Sequence, residues 1–502
     1  MSDALPPEIK IAKEASITMG GSAIGGLFRY LFNVFVARFL GVEVLGFYAI
    51  SLAVTQVAAV VGKLGLDIGV VRFVSRLHAL GRVAEAVATI RRAVAYGLLG
   101  GLLVASMLVF GAGRISVDIF HAQDAFLGRL LTSFALMIPL MVVAQITARG
   151  SQAFKVLKYP ALALHILPPV FLCLAFPMLV WWAGPLWSIA AAFVGSQVIS
   201  VGAAVFFLTR LVPVHRKAVK PPDAGLLRFS IPLVLAAVMT MIIHWSDIIM
   251  LGVLTDSQTT GLYQPAVRTA GMMALFTASF GGILAPIVSG LDARNKKPKI
   301  RDLLRLVGRW NFAITWPAFL FLFSYASKVM LVFGADFLAM WKVLHVLALA
   351  QVILSLGMSS ALALVMTGYP KTALVNNTIT LVVNVLANLY LIPRYGPMGA
   401  ALGTTAAIGT LTLLRLVELW VLYRMHPFTW KYTKPLLAGA VALAVCSLAN
   451  RVIFNWHTLI VLPLALIIFV SVYAGCLYFF RLDEDDKAVL NAFRRKIGRL
   501  TH

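Results

Sequence analysis

The 502-residue chain is predicted to be an all-α, polytopic membrane protein with about fourteen transmembrane helices. Hydrophobic residues make up 61% of the chain and charged residues 12%, whereas soluble domains are about 45–50% apolar and about 25% charged. Apolar runs of about 20 residues, the length that crosses the hydrocarbon core as a helix, recur along the whole chain. These runs leave no stretch for a sizeable soluble domain.

The predicted spans fall into two sets of six and a final pair. The first six are 20–40, 47–66, 93–110, 130–147, 161–181 and 186–208, and the next six are 231–253, 262–288, 306–327, 343–366, 373–393 and 399–422. The final pair is 435–448 and 459–480. The corresponding regions are an N-terminal segment (1–16), an N-lobe (17–210), a linker (211–229), a C-lobe (230–424), the helix pair (425–480) and a tail (481–502).

Basic residues mark one side of the predicted membrane. Loops that follow even-numbered spans are rich in Lys and Arg, whereas loops after odd-numbered spans hold few. One even loop contains Arg72, Arg76, Arg82, Arg91 and Arg92, and another contains Arg294, Lys296, Lys297, Lys299, Arg301 and Arg305. The positive-inside rule then places both termini in the cytoplasm. The formal net charge of +24 is therefore attributed to orientation and to membrane lipids, not to nucleic acid.

The two sets of six spans carry a sequence repeat at an offset of roughly 210 to 215 residues. The repeated strings are Leu40-Gly41 with Gly46-Phe47-Tyr48 and Leu251-Gly252 with Gly261-Leu262-Tyr263, then Tyr159-Pro160 and Tyr369-Pro370, then Gly184-Pro185 and Gly396-Pro397. The offset covers six spans, an even number, so both halves should have the same orientation in the membrane. Such halves are related by a rotation axis along the membrane normal.

Several short motifs resemble those of a known transporter family. They are Ala37-Arg38-Phe39-Leu40-Gly41, Gly46-Phe47-Tyr48, Gly65-Leu66 with Arg72-Phe73-Val74, Gly261-Leu262-Tyr263 and Tyr395-Gly396-Pro397-Met398-Gly399-Ala400. With them the chain resembles the polysaccharide-transporter flippases of the multidrug/oligosaccharidyl-lipid/polysaccharide exporter superfamily, which are related to lipid II flippases. The resemblance implies two six-helix lobes around a central cavity and transport of a lipid-linked oligosaccharide by alternating access. It also implies residence in the cytoplasmic (inner) membrane of a bacterium.

Three basic residues are predicted to bind the anionic headgroup of that substrate. Arg29 lies near the middle of span 1, Lys63 near the cytoplasmic end of span 2 and Arg268 inside span 8. Charges at bilayer depth are rare unless they face a cavity or a partner, and guanidinium groups bind phosphate oxygens through a bidentate fork. For Lys63 an ion pair with Asp67 at i, i+4 is an equal alternative, and Arg38 is expected to reach the headgroups.

A second set of residues is predicted to serve ion coupling. Asp247 lies in the otherwise apolar span 7, Asn384 and Asn388 share a face of span 11, and Thr404 lies early in span 12. Their oxygens suit a monovalent cation such as Na+. The resemblance implies a sodium site on these three helices. Related lipid II flippases can have a second carboxylate at the position of Asn388, and this chain lacks it. Proton exchange between Asp247 and His244, or a purely structural role, remain alternatives.

Other functions are weighed against the flippase. A cation-coupled exporter of cationic drugs or metabolites would use the same fold, but the three basic residues would repel cations. A membrane polysaccharide polymerase or ligase is disfavoured by the short outer loops. No nucleotide-binding loop or catalytic constellation is found, so no cofactor is expected beyond Na+ or H+. The tail is expected to bind anionic lipid or, alternatively, a polysaccharide assembly protein.

Overall fold

The structure, a computed structural model, describes residues 7–122, 125–154, 156–212, 225–292, 296–366, 370–453 and 457–480. Within these ranges the regular elements are all helices, which confirms the predicted all-α class. The α-helices are α1 (Pro7–Gly62), α2 (Leu66–Ala79), α3 (Val83–Arg114), α4 (Ala125–Ala135), α5 (Ile138–Ala153), α6 (Lys158–Pro160), α7 (Leu167–Leu211) and α8 (Leu226–Leu254). They continue as α9 (Ser257–Asp292), α10 (Lys297–Phe333), α11 (Trp341–Met366), α12 (Pro370–Tyr395), α13 (Pro397–Tyr423), α14 (Thr433–Ile453) and α15 (Thr458–Phe479).

Short π-helices and 3-10 helices connect some of these elements. The π-helices cover Ile115–Ile119 and Ala161–Ile166, and the 3-10 helices cover Ala335–Met340 and Trp430–Tyr432. π-helical turns often accompany functional sites because they re-aim a side chain. The one before α7 carries His165 next to α1, where it contacts Gly25.

Eleven helices of the described residues are long and apolar enough to cross a membrane. Two of them each contain a break at a glycine, Gly41 in α1 and Gly184 in α7, where φ is +84° and +69°. Each break falls where two predicted spans meet, so α1 and α7 each consist of two helices that meet at the glycine without an intervening loop. The chain is a multi-pass membrane protein, and the count of fourteen spans stays a prediction.

The structure differs from the predicted spans in its details. Span 4 is divided between α4 and α5, with the break just before Pro139 at the second position of α5, where a proline is tolerated. α2, which follows Gly65 in the left-handed conformation, was not predicted as a separate helix. α1 begins at Pro7, inside the segment predicted as 1–16. The tail 481–502 and most of the linker lie outside the described residues.

The repeat is visible in the backbone. Gly184 and Gly396 are equivalent in the repeat, and each has positive φ, +69° and +53°, directly before a proline that begins a new helical run. Proline is well suited to the first helical position because its fixed φ is that of a helix and its missing N–H has no helical partner there. The two Gly-Pro strings therefore build the same helix start in both halves.

The halves meet at a crossing between α1 and α9. A Cβ atom on Gly46 would overlap the carbonyl oxygen of Ser257, and a Cβ atom on Gly261 would overlap that of Val42. Gly46 and Gly261 are themselves equivalent in the repeat. Only glycine permits this approach, which brings the two backbones together and fixes where α1 and α9 run past each other. The candidate site lies just beyond this crossing.

Candidate functional site

Arg268 projects from α9 into a buried polar environment between the halves. Its guanidinium carbon lies 4.8 Å from the centroid of the Trp245 ring on α8, a favourable cation–π distance. The Gln264 amide contacts Asn33 at 3.3 Å in one orientation. In the other orientation its oxygen accepts from Nε and Nη2 of Arg268 at 2.9 and 3.1 Å. The second orientation of the Gln264 amide gives the Arg268 guanidinium a hydrogen-bond acceptor.

Arg29 approaches Arg268 from the opposite half of the chain. Its side chain is solvent-exposed, yet its charge interacts with Arg268, with the Tyr48 phenol and with His165. These neighbours come from both halves of the chain. In the described part of the chain, neither arginine takes part in an ion pair. Two guanidinium groups whose charges interact, one from each half, have the charge that an anion requires.

Lys63 does not join this pair of arginines. Its Nζ lies 3.0 Å from Oδ2 of Asp67, and both side chains are largely buried. The alternative interpretation of Lys63, an i, i+4 ion pair, is the one that the structure contains. Because Asp67 neutralises its charge, Lys63 contributes little positive potential to the arginine site.

Asp247 lies on α8 and is buried. Its Oδ2 accepts a hydrogen bond from the Tyr263 hydroxyl of α9 at 3.1 Å, and its Oδ1 accepts from the Ile248 main chain at 2.9 Å. Thr404 of α13 lies near the same hydroxyl, although its own Oγ1 has no hydrogen-bond partner, and the charge of Arg268 interacts with the carboxylate. Asp247 therefore connects the arginine site to helices of the second half.

The two asparagines of α12 form a second group beside Asp247. Ser246, which precedes Asp247, donates to Oδ1 of Asn384 at 2.5 Å, and Nδ2 of Asn388 donates to the same oxygen at 3.3 Å. Oδ1 of Asn388 has no hydrogen-bond partner although the residue is fully buried. It lies against Gly403, where any Cβ atom would overlap it. The structure thus brings the predicted residues into one region on α8, α12 and α13, as two adjoining groups.

This donor set suits a small monovalent cation. It combines one carboxylate with amide and hydroxyl oxygens, which are hard ligands, and its single charge is too low for tight divalent binding. The orphaned Asn388 oxygen supports this fit, because a buried acceptor without a partner costs about 1–3 kcal/mol. Asp247, Asn388 and Thr404 are the residues that would hold the ion.

Several residues of the site escaped sequence analysis. Tyr263 and Gln264 are unremarkable in an apolar helix, and only the echo of Gly46-Phe47-Tyr48 in Gly261-Leu262-Tyr263 pointed to the tyrosine. His244 is exposed and packs edge-on against Trp245. The Asp247 carboxylate instead accepts hydrogen bonds from Tyr263 and from the main chain of Ile248.

Arg38 makes contacts that were not predicted. Its Nε and Nη2 donate to the carbonyl oxygens of Val332 and Leu331, at 2.8 and 2.5 Å, at the C-terminal end of α10. The last carbonyls of a helix lack intrahelical donors, and a cation there also interacts well with the helix dipole. Arg38 therefore joins α1 to α10 while remaining exposed.

Solved structures with the same fold include transporters of two kinds. Lipid II flippase MurJ, in an inward closed conformation, is 17% identical with a TM-score of 0.69, and the match covers 93% of this chain and 98% of that one. A multidrug resistance MATE family transporter of the MOP superfamily, in its inward-facing conformation, is 13% identical with a TM-score of 0.68, covering 84% and 98%. At these identities the likeness establishes the fold.

Sequence comparison adds a relative and a family. The chain is 22% identical over 240 residues to the probable low-salt glycan biosynthesis flippase Agl15 of Haloferax volcanii. The match covers 47% of this chain and 48% of that protein, so the chain spans about half the length of this curated relative. A family model described as "Polysaccharide biosynthesis protein" matches residues 35–342, which is more than half of the 502 residues. The chain therefore belongs to this family of polysaccharide biosynthesis proteins.

Proposed function

We propose that this membrane protein is a flippase for a lipid-linked oligosaccharide, carrying it from the cytoplasmic to the outer leaflet by alternating access. The observation that carries the proposal is the pair Arg29 and Arg268, one from each half, whose charges interact and neither of which takes part in an ion pair within the described residues. A diphosphate that links a glycan to a polyprenol is multiply anionic and matches this pair. The name of the Haloferax relative, a glycan biosynthesis flippase, points to the same substrate class.

The position of the arginines suits a substrate whose two ends need different surroundings. Arg29 lies near the middle of its span, about 14 Å along the helix from Gly20 at 1.5 Å per residue. A diphosphate bound there is shielded from hydrocarbon, while the polyprenyl chain can remain in the bilayer. Cationic drugs would be repelled by the same pair, which disfavours the exporter alternative.

Coupling to an ion gradient is the second part of the proposal. Asp247, Asn388 and Thr404 would hold Na+ or H+, and the charge of Arg268 interacts with Asp247. Binding of a cation and binding of an anionic headgroup therefore act on the same pair of side chains. The ion supplies the driving force, and the residues provide its ligands and link it to Arg268.

The proposed setting is a bacterial cytoplasmic membrane with both termini in the cytoplasm, as the basic loops indicate. Partners in this proposal are membrane lipids and, through the tail, polysaccharide assembly proteins. Neither an enzymatic step nor a nucleic acid is part of the proposed activity.

Complementation tests the arginine site directly. In cells that lack the gene, we expect lipid-linked precursor to accumulate and surface polysaccharide to be lost. Arg29→Ala and Arg268→Ala should fail to restore polysaccharide at normal protein levels, while Arg29→Lys restores part of it. Arg210→Ala is the matched control, because Arg210 lies at the end of α7 and stacks on Phe206. Normal polysaccharide from both alanine variants would refute the proposed role of the arginines.

A further inference from the structure

The buried face of α12 carries polar side chains at every fourth position, and only two of them were predicted. Asn376, Thr380, Asn384 and Asn388 have exposed fractions of 2%, 2%, 2% and 0%. We call these four residues the polar file. A rise of 1.5 Å per residue separates the first from the last by about 18 Å, which is more than half of the hydrocarbon thickness.

The polar file faces α13 along its length and α8 near its middle. At one end, Nδ2 of Asn376 donates to Oε2 of Glu418 on α13 at 2.7 Å. In the middle, Asn384 accepts from Ser246 of α8. At the other end, Asn388 lies against Gly403 of α13, next to the proposed ion site. The file therefore joins the ion site to a carboxylate one helix away.

Three oxygens of the polar file have no hydrogen-bond partner. They are Oδ1 of Asn376, Oγ1 of Thr380 and Oδ1 of Asn388. Each such buried group costs about 1–3 kcal/mol unless water or an ion satisfies it. If these residues only joined helices, their polar atoms would be paired with one another. Unsatisfied oxygens at three levels of one helix face are what a hydrated route requires.

Thr380, like Thr404 of α13, differs from other helical threonines nearby because its hydroxyl has no hydrogen-bond partner. The hydroxyls of Thr378, Thr405 and Thr410 each donate to the carbonyl four residues earlier, at 2.9, 2.7 and 2.9 Å. This local bond is the usual way in which a threonine is satisfied in a helix. The Thr380 hydroxyl does not make it, and so it is available to a ligand in the interface with α13.

Glu418 supplies the charge at the far end of the polar file. Its side chain is half-buried, it accepts from Asn376, and its charge interacts with Arg415 one turn earlier. Because Arg415 offsets part of the negative charge, Glu418 can attract a monovalent cation without holding it tightly. The basic loops assign this end of α12 and α13 to the cytoplasmic side.

We propose that the polar file is a hydrated route along which a monovalent cation, Na+ or H+, passes between the ion site at Asp247 and the cytoplasm, with Glu418 at its cytoplasmic end. The proposal rests on the ion site of the proposed function. It makes Asn376, Thr380 and Glu418 part of ion access, whereas Asp247 and Asn388 hold the ion.

Silver ions test the route, because Ag+ is a monovalent cation close in size to Na+ and reacts with thiols. Thr380→Cys is introduced into a background in which Cys173, Cys446 and Cys476 are replaced by Ala. Inside-out vesicles are exposed to Ag+, unfolded and treated with a maleimide polymer that reveals unreacted thiols on a gel. We expect Ag+ to abolish the gel shift of Thr380→Cys. Thr378→Cys, on the exposed face of the same helix, should keep its shift.

Asn376→Cys provides a second position in case Thr380→Cys folds poorly, and it too should lose its gel shift. Slowing of the reaction by added Na+ assigns the route to Na+, and slowing by acid alone assigns it to H+. The proposal would be overturned if Ag+ had the same effect on the gel shifts of the Thr380→Cys and Thr378→Cys variants. It would also be overturned if Ag+ reached Thr380→Cys only from the outer face of the membrane. The assay requires neither substrate nor Asp247, so its failure is distinct from failure of the flippase or of the ion site.

Discussion

Tyr263 is the residue through which Asp247 is linked to the rest of the site. Replacing Tyr263 with Phe removes the hydroxyl that donates to Asp247 at 3.1 Å and leaves a buried acceptor with one partner fewer, at a cost of about 1–3 kcal/mol. We expect Tyr263→Phe to lower the melting temperature and also to weaken the dependence of transport on the Na+ or H+ gradient.

Tyr473→Phe is the control for that substitution, because the Tyr473 hydroxyl donates to a main-chain carbonyl, that of Ala313, at 2.8 Å. It should lower stability by about 1 kcal/mol and leave ion dependence unchanged. Transport assays in proteoliposomes with imposed gradients measure both variants. An unaltered ion dependence in Tyr263→Phe would separate this tyrosine from coupling.

Gly403 is the residue that makes room for Asn388. Gly403→Ala places a Cβ atom on the Asn388 amide oxygen, and overpacking of this kind costs about 1–3 kcal/mol. We expect the variant to lose ion-dependent transport because Asn388 must move. Gly409→Ala on the same helix meets nothing within 4 Å and should behave as wild type. Melting curves and flux assays on the pair make the comparison.

Among the helices, those that begin at a Gly-Pro string have the most strongly constrained backbone at their first residues. Gly184 has φ +69° and ψ 173°, a region open almost only to glycine, and a non-glycine residue there costs about 1–3 kcal/mol. Gly184→Ala should therefore lower the melting temperature in detergent. Gly202→Ala, within the regular part of α7 and with nothing within 4 Å, should not. A stable Gly184→Ala variant would show that the break in α7 can relax.

The charge distribution predicts an orientation for the whole molecule that cysteine labelling can test. Leu80 follows α2 and Tyr395 ends α12, and both side chains are well exposed. In a cysteine-free background, an impermeant maleimide added to intact cells should label Tyr395→Cys and leave Leu80→Cys unlabelled. Labelling of Leu80→Cys alone would invert the topology, and with it the direction assigned to transport.

Features of the molecule that depend on local pattern could be predicted from the sequence. Helices and the repeat follow from apolar runs and from Gly-Pro strings, and Arg29, Arg268 and Asp247 stand out because charge is rare at bilayer depth. The contact of Lys63 with Asp67 was an open alternative because the two residues are four positions apart in the sequence, although Lys63 lies in the turn after α1 and Asp67 in α2. Contacts between segments that are far apart in the sequence could not be predicted. Tyr263 with Asp247, Arg38 with α10 and Asn376 with Glu418 depend on how helices pack, and no local pattern encodes that.

The crossing of α1 and α9 relates the two halves of the chain reciprocally. Gly46 faces a carbonyl four residues before Gly261, and Gly261 faces a carbonyl four residues before Gly46. This reciprocity is the isologous form found at two-fold dimer interfaces, where one surface patch is used twice. The crossing therefore has, inside one chain, the reciprocal geometry of a symmetric interface, so a side chain larger than hydrogen at either glycine would push the same two helices apart.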